Sequence, residues 1–219
     1  MKRYFSMLLV LLLLWVTAVT QPFVENIAAF RKQDSISFPA PGQILFVGSS
    51  SFTLWKDIQQ YFPSHPIINR GFGGSTLLDV TQYAGDVIFK YRPKQIVMYC
   101  GENDIAADSM VTGKVVLQRF KKLYKDIRDI LGSVPVVYIS MKPSPSRWHM
   151  QAKTTEGNRR IKKFLSKEGE AGKFVDIWTF MLNDDGLPKE DIFLGDKLHM
   201  NEKGYQLWKK ILEPYLLKD

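Results

Sequence analysis

The sequence predicts an α/β chain folded as a three-layer α/β/α sandwich around a five-stranded parallel sheet, in the flavodoxin-like order 2-1-3-4-5. Three observations lead there. Five short apolar runs recur along the chain, several of them ending on glycine. None alternates apolar with polar side chains, as a strand with one wet face would, so both faces of the sheet are expected to be covered. Between the runs lie segments whose apolar residues recur at helical spacing, which makes strand and helix alternate down the whole chain.

The first strand covers residues 44–47 and closes on Gly48, and a short helix is expected over 52–60. The second strand covers 66–69 and runs into Gly71, Gly73 and Gly74. A helix over 76–90 follows, with Leu77, Val80, Tyr83, Ala84, Val87 and Ile88 facing inward. The third strand, 95–100, stops at Gly101. A helix over 114–131 repeats Val116, Phe120, Leu123, Ile127 and Ile130. The fourth strand is 134–139, and the more charged helix after it, 153–170, turns Ile161, Phe164 and Leu165 inward. The fifth strand is 173–177, and a closing helix over 204–217 takes Asn201 as its N-cap.

The N-terminus differs from this pattern. Lys2 and Arg3 precede an apolar run from Met7 to Val16, and small residues follow at 17 and 18. This reads as a signal peptide over residues 1–20, because the run is shorter than the ~20 residues a spanning helix needs. An uncleaved N-terminal anchor is the alternative. The expected address is therefore periplasmic or secreted, with residues 21–219 as a single domain. No cysteine follows the run to take a lipid, and the one cysteine, Cys100, cannot make an internal disulfide. Net charge is +8, or +6 once Lys2 and Arg3 leave with the leader. The excess is spread over helices, at Lys121, Lys122 and Lys125, at Lys162 and Lys163, and at Lys209 and Lys210. It reads as solvated helix faces, so no nucleic-acid partner is expected, and no membrane partner if the leader is removed.

In a sheet of this order, ligands bind beyond the carboxyl ends of the strands, at the switch point between strands one and three. Unusual residues stand at those places. After strand one come Ser49, Ser50 and Ser51, where a sharp turn can present a serine at the top of the sheet, or merely cap a helix. After strand two come Asn69, Arg70, Gly71, Phe72, Gly73, Gly74, Ser75 and Thr76. Glycines let backbone N–H groups approach a ligand, and the helix start behind them favours an anion. A dinucleotide fingerprint fails because Thr76 stands at the third glycine position, and a phosphate-binding P-loop fails for want of Gly-Lys-Ser/Thr. After strand three come Glu102, Asn103 and Asp104, where the Asn103 amide could meet developing negative charge.

Three histidines compete as the base. His65 precedes strand two, at the amino end of the sheet. His149 is on the right side but has Ser146 three residues ahead of it. His199 has Asp196 there, a carboxylate able to hold one ring nitrogen and free the other for proton transfer.

Together these four segments resemble the SGNH (GDSL-like) hydrolase family, over roughly residues 43 to 217. That family has a serine in a Gly-Asp-Ser turn, a glycine after strand two, Gly-x-Asn-Asp after strand three and Asp-x-x-His near the C-terminus. The resemblance implies Ser50 as nucleophile, Gly74 and Asn103 with the Ser50 N–H as oxyanion donors, and His199 and Asp196 as base and orienter. The chain departs at Ser49, where the family often has Asp. The form Gly-Ser-Ser-Ser with Asn-Arg-Gly-Phe-Gly-Gly is also similar to platelet-activating-factor acetylhydrolase-like esterases. The implied activity is hydrolysis of short acyl esters, acetyl above all, on a small molecule or carbohydrate, with no metal or other cofactor. Arg70, Arg147 and Trp148 are expected to contact substrate. Acyl transfer to a sugar by the same triad, and a non-catalytic carbohydrate-binding relative, stay open.

Overall fold

The structure is a computed structural model that describes residues 22–218, so the leader expected at 1–20 lies outside the described residues. The chain runs α1 (Val24–Ile36), β1 (Ile44–Gly48), α2 (Ser50–Thr53), α3 (Ile58–Tyr61), β2 (Ile67–Gly71), α4 (Leu77–Gln82), α5 (Ala84–Val87), β3 (Gln95–Tyr99) and α6 (Glu102–Ala107). It continues through α7 (Gly113–Leu131), β4 (Val136–Ile139), α8 (Gln151–Leu165), β5 (Gly172–Val175) and α9 (Glu202–Leu212). All five strands pair in parallel, in the order β2-β1-β3-β4-β5.

Successive strand side chains point to opposite faces, so each strand feeds two cores. Leu45, Val47, Ile96, Met98, Val136 and Tyr138 pack with residues of α1, α4, α5, α7 and α8. Ile44, Phe46, Val97, Tyr99, Val137 and Ile139 pack with α2, α3 and α9. The second core is aromatic: Phe52, Trp55 and Trp208 are fully buried, and Trp55 stacks on Tyr205 at 4.8 Å. Among the described residues, no helix is long and apolar enough to cross a membrane.

Several elements depart from the sequence expectation. The helix expected over 76–90 is three pieces, α4, α5 and a 3-10 turn at Phe89–Tyr91. Gly85 weakens the middle, and Arg92, at φ 44° before Pro93, ends it. The helix over 52–60 divides into α2 and α3. The helix expected to run to 170 stops at Leu165, followed by a 3-10 turn at Gly169–Ala171.

Helix α1 is absent from the sequence expectation altogether. It buries only Ile27 and Asp34, too little for an apolar stripe. A polar anchor docks it instead. Arg70 Nη2 donates to Asp34 Oδ1 at 2.6 Å, the Tyr91 hydroxyl donates to Asp34 Oδ2 at 2.6 Å, and Lys90 Nζ lies 2.5 Å from the same oxygen. Arg70 Nε donates to the Tyr91 hydroxyl at 2.6 Å, and Phe30 packs under the guanidinium. Burial alone would raise the Asp34 carboxyl, but hydrogen bonds from Lys90, Tyr91 and Arg70 outweigh it and hold the group below its ordinary value.

Removing one partner of a buried pair leaves the other charge uncompensated, so Asp34→Asn should cost roughly 3–5 kcal/mol in urea unfolding near neutral pH. A carboxylate lowered by folding contributes its stability above the ordinary carboxylate range and loses it as pH falls through the folded value. The gap between wild type and Asp34→Asn should therefore narrow on acidification. A gap that stays constant from pH 7 to the acid limit would contradict the anchor.

Candidate active site

The ends of β1, β2 and β3 lie level, with Gly48 opposite Gly71 on one side and Tyr99 on the other. At φ 144°, Gly48 passes so close to β3 that an added Cβ would sit 1.9 Å from the Tyr99 carbonyl oxygen. The Ser49 N–H donates to that oxygen at 3.1 Å, and the chain turns into α2 with Ser50 as its first residue. N–H groups in the first turn of a helix have no intrahelical acceptor. Ser50 is half-buried, flanked by buried Ser49 and Ser51. Asn69 braces α2 from β2: its Nδ2 donates to the Phe52 carbonyl at 2.8 Å. Tyr205 braces it from α9, its hydroxyl donating to the Ser51 carbonyl at 3.0 Å.

Beside Ser50 runs the glycine loop. A Cβ on Gly73 would lie 3.7 Å from the Ser50 Cβ, and exposed Gly74 takes φ 86°, in the left-handed region. The loop is pinned where α4 begins. Thr76 and Asp79 cap that helix reciprocally, and Asp104 Oδ2 accepts from the Leu77 N–H at 2.9 Å while its Oδ1 accepts from Arg119 at 2.8 Å. Asn103, next to Asp104, donates from Nδ2 to the Ser75 carbonyl at 3.0 Å. The Asp104 carboxyl is raised, because burial outweighs the Arg119 and Leu77 hydrogen bonds.

Asp196 and His199 arrive from a loop before α9. Lys197, at φ 54°, folds the turn so tightly that Asp196 Oδ1 accepts from the N–H groups of both Leu198 and His199 at 2.9 Å. Asp196 Oδ2 then lies 2.6 Å from His199 Nδ1, and His199 Nε2 lies 3.0 Å from Ser50 Oγ. Slight burial would raise the Asp196 carboxyl, but the backbone N–H groups of His199 and Leu198 and the His199 ring bring it down to about 2. An ionised carboxylate only accepts, so Nδ1 carries a proton, and the neutral ring then has Nε2 free to accept from the serine. The structure thus brings Ser50, His199 and Asp196 into one hydrogen-bonded chain, with Gly74 on the glycine loop and Asn103 in the first turn of α6 beside it.

The other expected site residues divide. Arg70 does not reach the site. It is buried, held by Asp34 and Tyr91 on the far side of β2, and this corrects its expected contact with substrate. Arg147 does stand at the rim, in a 3-10 segment spanning Pro145–Met150, but its Nη1 turns inward to Asn103 Oδ1 at 3.0 Å and Glu102 Oε1 at 3.2 Å. Trp148 is half-buried and stacks on Trp178 with ring centroids 5.8 Å apart. Ser146 ties this segment to the histidine loop, its N–H and hydroxyl both donating to the Lys197 carbonyl. His65 is buried, with Nδ1 3.1 Å from the Leu217 carbonyl oxygen, and His149 is exposed.

Sequence reasoning missed the group under the site. Glu102 is buried among Lys142 (2.8 Å), the Tyr99 hydroxyl (2.6 Å), the Ser144 hydroxyl (2.9 Å) and Arg147. Burial would raise its carboxyl, but the Lys142 and Arg147 charges outweigh it and hold the group down. The one available signal was Lys142 itself, a lysine three residues after the end of an apolar strand. Asn69 and Asp104 read equally well as turn formers.

Comparison with known proteins gives the family and the fold. The sequence model of the GDSL-like lipase/acylhydrolase family matches residues 34–207. No curated protein matches the chain. Solved structures similar to it include one from Streptococcus pneumonia, provisionally described as a platelet activating factor, at 23% identity and TM-score 0.77, covering 88% of this chain and 92% of that one. A GDSL-like lipase from Bacteroides thetaiotaomicron is similar at 16% identity and TM-score 0.73, covering 87% and 96%. A variant acetyl-xylooligosaccharide esterase from Geobacillus is similar at 13% identity and TM-score 0.64, covering 82% and 96%. At these identities the structural likeness carries the fold.

The turn before Ser50 makes a separable prediction. Gly48→Ala should destabilise the protein by more than about 3 kcal/mol, because steric overlap adds to backbone strain. Gly132→Ala, also at positive φ (66°) but with nothing within 4 Å, should cost only about 1 kcal/mol. Equal urea midpoints for the two variants would contradict the close approach.

Proposed function

The chain belongs to the GDSL-like lipase/acylhydrolase family and is a carboxylic ester hydrolase, and from that premise we propose that it works through a Ser50–His199–Asp196 triad on esters with short acyl groups. The single observation that carries the proposal is the continuous hydrogen-bonded chain from Asp196 Oδ2 through the imidazole to Ser50 Oγ.

Ser50 Oγ attacks the ester carbonyl carbon as His199 Nε2 takes its proton, and Asp196 stabilises the imidazolium. The oxyanion is met by the N–H groups of Ser50 and Gly74 and by Asn103 Nδ2, whose second hydrogen is not needed by the Ser75 carbonyl. Collapse breaks the bond to the leaving oxygen, which takes the proton from His199. Water then attacks the acyl-enzyme by the same relay, releasing a carboxylic acid and restoring Ser50. No step requires a metal or organic cofactor.

Two features support a small acyl group on a polar, sugar-like alcohol. The groups around Ser50 are small and polar. A cavity of about 620 Å³ does not include Ser50, and polar side chains such as Asp57, Gln60, Glu202 and Lys209 line most of it. Trp148, on the segment tied to the histidine loop, stacks with Trp178 from beyond β5, and the pair offers aromatic surface suited to a sugar ring. The apolar leader supports export, which sequencing the N-terminus of the mature protein would test.

Ser50→Ala and His199→Ala should each lower kcat on p-nitrophenyl acetate by roughly 10⁴–10⁶-fold with an unchanged circular dichroism spectrum. A fluorophosphonate should label Ser50 in the wild type only. Wild-type turnover by Ser50→Ala would end the proposal. Across acetyl, butyryl and octanoyl esters, kcat/KM should fall as the chain lengthens, and a rise toward octanoyl would refute the short-acyl assignment.

A further inference from the structure

An amide oxyanion donor carries a built-in hazard. Its oxygen and nitrogen ends have nearly the same shape, so a half-turn of the Asn103 side chain would replace a stabilising N–H with a repelling carbonyl oxygen. A bond to the Ser75 carbonyl at 3.0 Å opposes that turn from the nitrogen end. From the oxygen end, Arg147 Nη1 donates to Asn103 Oδ1 at 3.0 Å. A guanidinium cannot accept a hydrogen bond, so it tolerates only the oxygen in that place. Bonding a cation to the amide oxygen also draws electrons from the nitrogen and strengthens the N–H as a donor.

Arg147 is itself aimed from below. The same Nη1 lies 3.2 Å from Glu102 Oε1. Glu102 is fixed on its other sides by Lys142 Nζ, the Tyr99 hydroxyl and the Ser144 hydroxyl. Side-chain exposures of 5% for Glu102 and 3% for Lys142 leave this pair little freedom, whereas Arg147, at 22%, reaches from the buried group to the rim. Lys142 and Ser144 flank Pro143, and Pro145 begins the segment that carries Arg147. One short stretch therefore supplies the lysine that balances Glu102 and the arginine that reads it.

We infer that Arg147 is a positioning residue, held by buried Glu102 so that it locks the Asn103 amide with its nitrogen toward the developing oxyanion. This assignment replaces the expected role of Arg147 as a substrate contact. It rests on the proposed function, since it needs Asn103 to act as an oxyanion donor.

The test is a double-mutant cycle on p-nitrophenyl acetate. Loss of the Asn103 donor should cost roughly 10²–10³ in kcat, and loss of its lock a part of that, so Arg147→Met should lower kcat roughly 10–100-fold with little change in KM. In an Asn103→Ala background, Arg147→Met should have almost no further effect, because nothing remains to be locked. Arg147→Lys, which keeps the charge but not the fork, should recover only part of the loss, and serves as the second variant if Arg147→Met fails to fold. Millimolar guanidinium should raise kcat of Arg147→Ala when Asn103 is present and not when it is absent. A rise in KM at unchanged kcat would make Arg147 a substrate ligand and overturn the inference, as would an undiminished loss in the Asn103→Ala background. A wild type that hydrolyses no ester and takes no fluorophosphonate would overturn the proposed function and this inference together. An active, labelled wild type with a fully active Arg147→Met would overturn this inference alone.

Discussion

Everything at the site hangs on the level ends of three parallel strands. Register places Gly48 beside both Gly71 and Tyr99, so the loops leaving β1, β2 and β3 start from one line at the top of the sheet. Parallel strands leave in the same direction, and their following helices start there too. The result is three helix beginnings, α2, α4 and α6, gathered round one spot. Each carries N–H groups without intrahelical acceptors. A surface favourable to negative charge follows from topology before any side chain is chosen. The side chains then refine it: Ser50 opens α2, Thr76 caps α4, and Asn103 sits in the first turn of α6.

The histidine has a different kind of support. Its loop has no strand behind it and is held by local bonds. The Leu194 N–H donates to the His199 carbonyl at 2.7 Å, and Asn201 caps α9 while its amide reaches the Asp191 and Phe193 carbonyls. Lys197 takes a backbone conformation that costs of order 1–3 kcal/mol for a residue with a side chain. That cost is offset by three bonds to Asp196, which the conformation makes possible. Helix α9 buries Trp208 and Leu212 in the same aromatic core that receives Phe52 from the serine turn. One core thus sets the distance between two segments 149 residues apart.

Two of the buried charge clusters serve different ends. The Asp34 group fastens a helix with little apolar surface, at the edge strand β2. The Glu102 group lies under the site and fixes directions, since Lys142, Tyr99, Ser144 and Arg147 all converge on one carboxylate. Buried ion pairs add little net stability compared with apolar packing of the same volume, but breaking one is costly. Such a group resists rearrangement more than it strengthens the fold.

Much of this was legible in order along the chain. Continuous apolar runs marked the five strands, because a parallel sheet covered on both faces leaves no polar register to read. Asp196 and His199 stood out because a three-residue spacing is local, and the strand-end motifs because glycine and asparagine interrupt an otherwise regular pattern. Boundaries were less legible where helices are short: the break between α4 and α5 and the turn between α2 and α3 are decided by packing of a few residues. Helix α1 was invisible, for its hold on the protein is an ion pair to β2. Arg70 shows the limit most clearly. Its place beside the glycine loop suggested the site, yet strand alternation sends its side chain to the opposite side, toward Asp34. The sequence by itself determined where the strands end and which side-chain types stand there. Only the tertiary structure decided where Arg70 and Arg147 point and which charges meet, because those contacts join elements far apart in the chain and leave no periodic trace in it.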